Sequence, residues 1–147
     1  MAKTTLLDEV GGVETLEKVH KIFYDKVYVH PWLGPFFEGH NQEAIEGRQT
    51  SFMAEKMGGP KDYMGKPPTS AHRQMYITEE LFQVRKALLR ESLEEFGLSE
   101  ALIERWLRID SAFKKQIVKE SIEDFYKTTF PYEKRVIVPK PRNMKEQ

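Results

Sequence analysis

The chain has 147 residues and a mass of 17.3 kDa, about one domain's length, with 23 basic and 23 acidic residues, four histidines and no cysteine. Without cysteine there is no disulfide framework, thiolate metal site, iron–sulfur cluster or cysteine nucleophile, and a balanced charge excludes a global basic field for gripping nucleic acid. Any imidazole ligand must come from His20, His30, His40 or His72.

Hydrophobic residues are 39% of the chain, a lean share that leaves room for a ligand to complete the core. No apolar run approaches the roughly 20 residues of a membrane span. The first residues lack an apolar signal core, so the expected compartment is the cytoplasm.

In chain order, a short helix is expected over Thr4–Val10, followed by the punctuation of Gly11 and Gly12. From Val13 to Val29 the apolar residues Leu16, Val19, Phe23 and Val27 recur at spacings of three and four, which is helical. Pro31 ends this helix, because proline pushes the preceding residue out of the α region. A compact turn follows from Pro31 to Phe37. Asn41 is a good N-cap for a helix running to Met57, where Gly58, Gly59 and Pro60 stop it. The stretch 58–70 reads as loop, and a brief turn over Ser70–Met75 carries His72. Thr78 caps a helix from Glu79 to Phe96, and Gly97 stops it. Ser99 then caps a last helix with Leu102, Trp106, Ile109, Phe113 and Ile117 on one face. No strand pattern precedes the tail, which from Phe130 reads as extended or disordered. Lys127–Gln147 holds six basic and two acidic residues, so a tail of +4 balances a body of −4.

Three features carry chemistry. Ile45, Gln49, Phe52 and Met53 form one stripe on the helix after Asn41, and an amide within an apolar stripe needs a partner. Tyr24 brings a phenol to the inward side of the preceding helix. Tyr24 and Gln49 either place two donors in one pocket or bond each other or backbone carbonyls. His72 lies on a turn too short to bury it. His20 is open to three readings: a core residue, a lining residue of the Tyr24 side, or a metal ligand. His30 ends a helix, where a cation favours the dipole, and His40 reads as exposed.

The order Gly11-Gly12, Phe23-Tyr24, Pro35-Phe36-Phe37, Gln49, Phe52, Gly58-Gly59-Pro60, Tyr63-x-Gly65, Ala71-His72, Ile77 and Phe82 resembles the truncated haemoglobin family. These are short globins, all-α, with a two-over-two helical sandwich around a haem. The resemblance runs from about Leu6 to Ser121. It implies a globin domain over residues 1–126 and a basic, proline-containing extension over 127–147. Groups II and III carry a tryptophan three residues after the position of Phe82. Here that residue is Arg85, so the chain looks most like group I, bacterial type. Arg85 also departs from the small apolar residue usual in that group.

The resemblance implies haem b, iron protoporphyrin IX, with His72 as the proximal iron ligand. Its second ring nitrogen is then expected to donate to a backbone carbonyl. Tyr24 and Gln49 match distal donors that stabilise bound oxygen, which carries partial negative charge. Phe37 matches the phenylalanine against the haem face, and Ile45 the gate of the distal helix. Phe52, Met53, Tyr63, Met75, Ile77 and Phe82 match pocket-lining positions. Arg48 and Arg73 are candidate partners of the haem propionates. The implied partners are the diatomic gases oxygen, nitric oxide and carbon monoxide, with no nucleic acid and no membrane span.

Three functions fit that set. The first is reversible oxygen binding for transport or storage. The second is nitric oxide dioxygenation, which needs a separate reductase because nothing here resembles a flavin or nicotinamide domain. The third is a haem-based sensor or peroxidase-like protein. A helical interaction module without haem is the remaining alternative.

Overall fold

A computed structural model describes residues 4–61, 63, 65, 72–129 and 134–142. Parts of the expected 58–70 loop and 70–75 turn, the start of the expected tail and its last five residues lie outside the described residues. Helix α1 is Leu6–Val10, and α2 is Val13–Val29. A 3-10 turn over Gly34–Phe37 leads to α3, Gln42–Lys56. Then come α4, Glu79–Phe96, and α5, Glu100–Ser111. Two short helices follow: α6, Lys114–Ile117, and α7, Ile122–Thr128.

The helix starts are set by side chains that satisfy otherwise unpaired N–H groups. Thr5 and Asp8 form a reciprocal capping box at α1. Asn41 accepts from the Ala44 N–H at 2.9 Å, and Thr78 accepts from the Leu81 N–H at 3.1 Å. Ser99 does the same for α5. At the other ends, Gly11 and Gly97 adopt left-handed φ values of 110° and 102° and return their N–H groups to the last helical carbonyls. A side chain at either position would be strained. His30, before Pro31, is extended at φ −72° and ψ 131° and ends α2 as proline requires.

Helix α2 packs against both α3 and α4, and α4 packs against α5, which gives a two-over-two arrangement of helices. Their apolar faces meet in one core in which Leu16, Val19, Phe23, Met53, Phe82, Leu93 and Trp106 are almost wholly buried. Each such side chain contributes on the order of 2 kcal/mol by leaving water.

The last expected helix is divided. Its core residues are Ile103, Trp106, Leu107 and Asp110, whereas Leu102 and Ile109 are only half-buried. It ends at Ser111, and Phe113 at φ −97° and ψ 1° starts α6. The break swings the Phe113 ring onto Phe52 of α3, with centroids 5.1 Å apart. An unbroken helical face does not describe that contact.

Beyond α6 the chain contains α7 and an extended run over 134–142. Among the described residues the one β-bridge pairs Met75 with Val136, in parallel. Val136 and Val138 pack against the core, Lys140 pairs with Glu80 at 2.6 Å, and the Arg135 guanidinium lies 4.7 Å from the Tyr126 ring centre. Part of the tail's excess positive charge is therefore engaged by the body.

Candidate functional site

Tyr24 reaches the core because it follows Phe23 on the buried face of α2, and it keeps 5% of its surface exposed. Its ring packs edge-on against Phe23 at 4.8 Å and Phe37 at 5.8 Å. Burial pushes the phenol up to about 12, against the opposing pull of the Arg85 cation. At neutral pH the group is therefore a protonated donor.

Arg85 of α4 donates to both carboxylate oxygens of Asp110 on α5, at 2.8 and 2.9 Å. Its guanidinium sits 5.3 Å from the centre of the Phe23 ring. The Asp110 side chain is 7% exposed and that of Arg85 27%. Burial opposes the charge on Arg85, but the Asp110 carboxylate and the Tyr24 phenol outweigh it and hold the group cationic. The guanidinium is thus the polar neighbour that the fold brings to Tyr24. Sequence reasoning registered Arg85 as a departure and did not find Asp110, whose only signal was an acid on the buried stripe of an amphipathic helix.

His20, one turn before Tyr24, is 1% exposed. Its Nδ1 is 2.7 Å from the Thr50 hydroxyl, and its ring meets Trp106 edge-on at 5.9 Å. Of the three readings of this residue, the core one describes these contacts. Burial, helped by the Arg85 charge, lowers its pKa from 6.5 to about 3. Between those values the unfolded chain holds a proton that the native chain does not, so acid weakens the fold across that window. Going from pH 6.5 to 5, His20 should remove about 1.5–2 kcal/mol of stability. Urea unfolding of wild type and His20→Gln at the two pH values checks this. The variant should lose less than wild type by that amount, and equal slopes would rule out a neutral buried imidazole.

His30 does not act as a helix-end cation. Its Nδ1 accepts from the N–H groups of Trp32 and Leu33, both at 3.1 Å, and burial lowers its pKa. It staples the turn that carries Phe37. His40 is exposed, as expected.

On α3, Met53 is buried, whereas Ile45, Gln49 and Phe52 are half-buried and Arg48 is exposed. The Phe52 ring meets Tyr63 edge-on at 5.3 Å, and the Tyr63 N–H donates to Glu55 at 3.2 Å. Burial raises the phenols of Tyr28 and Tyr63, and the Arg48 cation opposes both shifts. Past the loop, His72, Met75 and Ile77 are half-buried, Arg73 is exposed and Phe82 is fully buried. The Lys119 amine donates to the His72 carbonyl at 2.6 Å and to the Ile117 carbonyl at 3.2 Å. Burial brings that amine down to about 8.

These residues can be tested for fit to a haem. Phe37, Ile45, Phe52, Met75 and Ile77 pack against the apolar core cluster yet keep part of their surface open. That pattern suits a core with an apolar face left for a flat ligand. His72 is a half-buried residue with an imidazole of the kind that binds haem iron, and Arg48 and Arg73 are exposed cations of the kind that pair with carboxylates. Among the described residues no cluster of histidine and acidic side chains competes as a metal site. Among the described residues no helix is long and apolar enough to cross a membrane. The donor set fits the group.

A family model for bacterial-like globins matches residues 5–128. Group 1 truncated hemoglobin GlbN of Mycolicibacterium paratuberculosis is 35% identical over 94 residues, covering 64% of this chain and 69% of the relative. The group 1 truncated hemoglobin of Tetrahymena pyriformis is 26% identical over 114 residues, covering 78% of this chain and 94% of that one. The crystal structure of the T. pyriformis truncated hemoglobin in its Fe(III) form is similar with a TM-score of 0.74 at 26% identity, covering 80% of this chain and 100% of that one.

Proposed function

Because this chain belongs to the bacterial-like globin family, as a group I truncated globin with a haem cofactor, we propose that it binds oxygen reversibly, for transport or storage, with His72 as the iron ligand. Haem, when bound, supplies an iron that takes a diatomic gas. The residues that would hold it are His72, Phe37, Ile45, Phe52, Met53, Tyr63, Met75, Ile77 and Phe82, with Arg48 and Arg73 toward its propionates.

The observation that carries the reading is the Tyr24 phenol. It is buried, kept protonated to about 12, and packed edge-on against half-buried Phe37. A neutral phenol in a dry setting donates to a partly negative gas without competing for its own proton. Half-buried Gln49 offers a second donor from α3. Apolar Ile45, Phe52 and Met53 exclude water around them.

The test is reversible oxygenation of the haem-loaded full chain. Repeated cycles of oxygen and argon should return the same two spectra. Mixing the oxygenated chain with nitric oxide separates this reading from nitric oxide dioxygenation: slow or absent nitrate formation supports oxygen carriage, and rapid stoichiometric nitrate supports the enzyme with its external reductase.

A further inference from the structure

The extended run 134–142 lies outside the 5–128 match to the globin family, yet it is tied to the segment that carries His72. Val136 makes both bonds of a parallel bridge. Its N–H donates to the Gln74 carbonyl at 2.7 Å, and its carbonyl accepts from the Tyr76 N–H at 2.9 Å. Two residues on, the Val138 carbonyl accepts from the Trp32 indole N–H at 3.0 Å, so the run reaches from the His72 segment to the turn before Phe37. Lys140 closes the far end on Glu80 at 2.6 Å. Val136 and Val138 also pack against the core.

A second tie comes from the segment between α6 and α7. The Lys119 N–H donates to the Ile77 carbonyl at 2.9 Å while its amine donates to the His72 carbonyl at 2.6 Å. Phe125 of α7 stacks at 5.5 Å on Tyr76. His72 is followed directly by a turn at Arg73 and Gln74. A turn is held more firmly when distant parts of the chain pin it. Here the pins are the backbone of Val136, the Lys119 side chain and the Phe125 ring.

We propose that the C-terminal extension, with Lys119 from the segment between α6 and α7, forms a strap on the proximal side, in which Val136 and Lys119 are positioning residues that fix the His72 turn for the iron. This rests on the reading of His72 as the iron ligand. The strap acts through the backbone, holding residues 72–77 in one conformation. The positions that set iron–histidine geometry therefore extend beyond the part of the chain that matches the family.

Two full-length variants test it. Val136→Pro removes the N–H that bonds Gln74, and Lys119→Met removes the amine on the His72 carbonyl, with Lys119→Arg as the conservative control. Three readouts are taken: amide exchange of Tyr76 in the haem-free chain, the rate of haem loss to an acceptor protein, and the iron–histidine stretching band of the ferrous, gas-free form. Val136→Pro should speed Tyr76 exchange and haem loss at least about 10-fold. Lys119→Met should shift or broaden the iron–histidine band, and Lys119→Arg should restore it. If Tyr76 exchange accelerates while haem loss and the band stay at wild-type values in both variants, the strap has been released without consequence and the proposal fails. Unchanged Tyr76 exchange in Val136→Pro also overturns it. A wild-type chain with no iron–histidine band overturns the reading of His72 and the strap together, whereas a normal wild-type band that neither variant moves overturns the strap alone.

Discussion

Tyr24→Phe should speed oxygen release from the haem-loaded chain about 10- to 100-fold, with little change in the rate of oxygen entry. A hydrogen bond to a partly charged acceptor is worth about 1.5–3 kcal/mol, and a factor of 10 corresponds to 1.4 kcal/mol. The phenol is 5% exposed, so water does not replace it readily when the hydroxyl is removed. The ring remains, and with it the packing on Phe23 and Phe37. Gln49→Leu should have the smaller effect of the two, because Gln49 is half-buried and water can stand in for its amide. Flash photolysis and stopped-flow displacement measure both rates. An unchanged release rate in Tyr24→Phe would remove the phenol from the site's mechanism.

The second large effect lies beneath that phenol. Asp110→Ala should destabilise the chain by about 2–4 kcal/mol, because it leaves the Arg85 guanidinium without its carboxylate. The lower part of that range allows for the 27% exposure of the Arg85 side chain. The pair itself is not expected to be a net source of stability, since burying two charges offsets most of their attraction. The double variant Arg85→Met with Asp110→Leu should therefore recover most of the loss. Urea unfolding of Arg85→Met, Asp110→Leu and their double variant gives the coupling directly. A double variant as weak as Asp110→Ala would show that the pair stabilises the fold in its own right. Arg85 also faces Tyr24, so the double variant reports whether a fixed cation matters to the phenol: its oxygen release rate should move toward that of Tyr24→Phe.

The helices were legible because their signals are local. Apolar spacing on α2, the caps Asn41, Thr78 and Ser99, and the stops at Gly11 and Gly97 each act within a few residues. The bounds of α2, α3 and α4 lie within about one residue of the reading for that reason. The pocket side chains were named from the order of residues along the chain, and order carries no distance. Nothing in that order shows that Phe52 meets Phe113 across a helix break, or that Arg85 finds Asp110 across 25 residues. The strap was illegible on the same ground. Arg135, Val136, Ile137 and Val138 neither alternate nor repeat, and one bridge to a segment 61 residues away is decided by tertiary packing. His30 shows how local chemistry misleads: a histidine at a helix end suggests a cation on the dipole, but its Nδ1 accepts two N–H groups of the following turn and must be neutral there.

The central claim is that His72 is the ligand of a bound haem, and haemin titration of the full chain followed by the spectrum of the ferrous, gas-free form tests it most directly. Wild type should take up one equivalent of haemin with a sharp Soret band and show an iron–histidine stretching band on reduction under argon. His72→Ala should lose that band, bind haemin more weakly, and regain the wild-type spectrum when imidazole is added. A folded wild-type chain that takes up no haemin, or a His72→Ala variant whose spectra match those of wild type, would contradict the account.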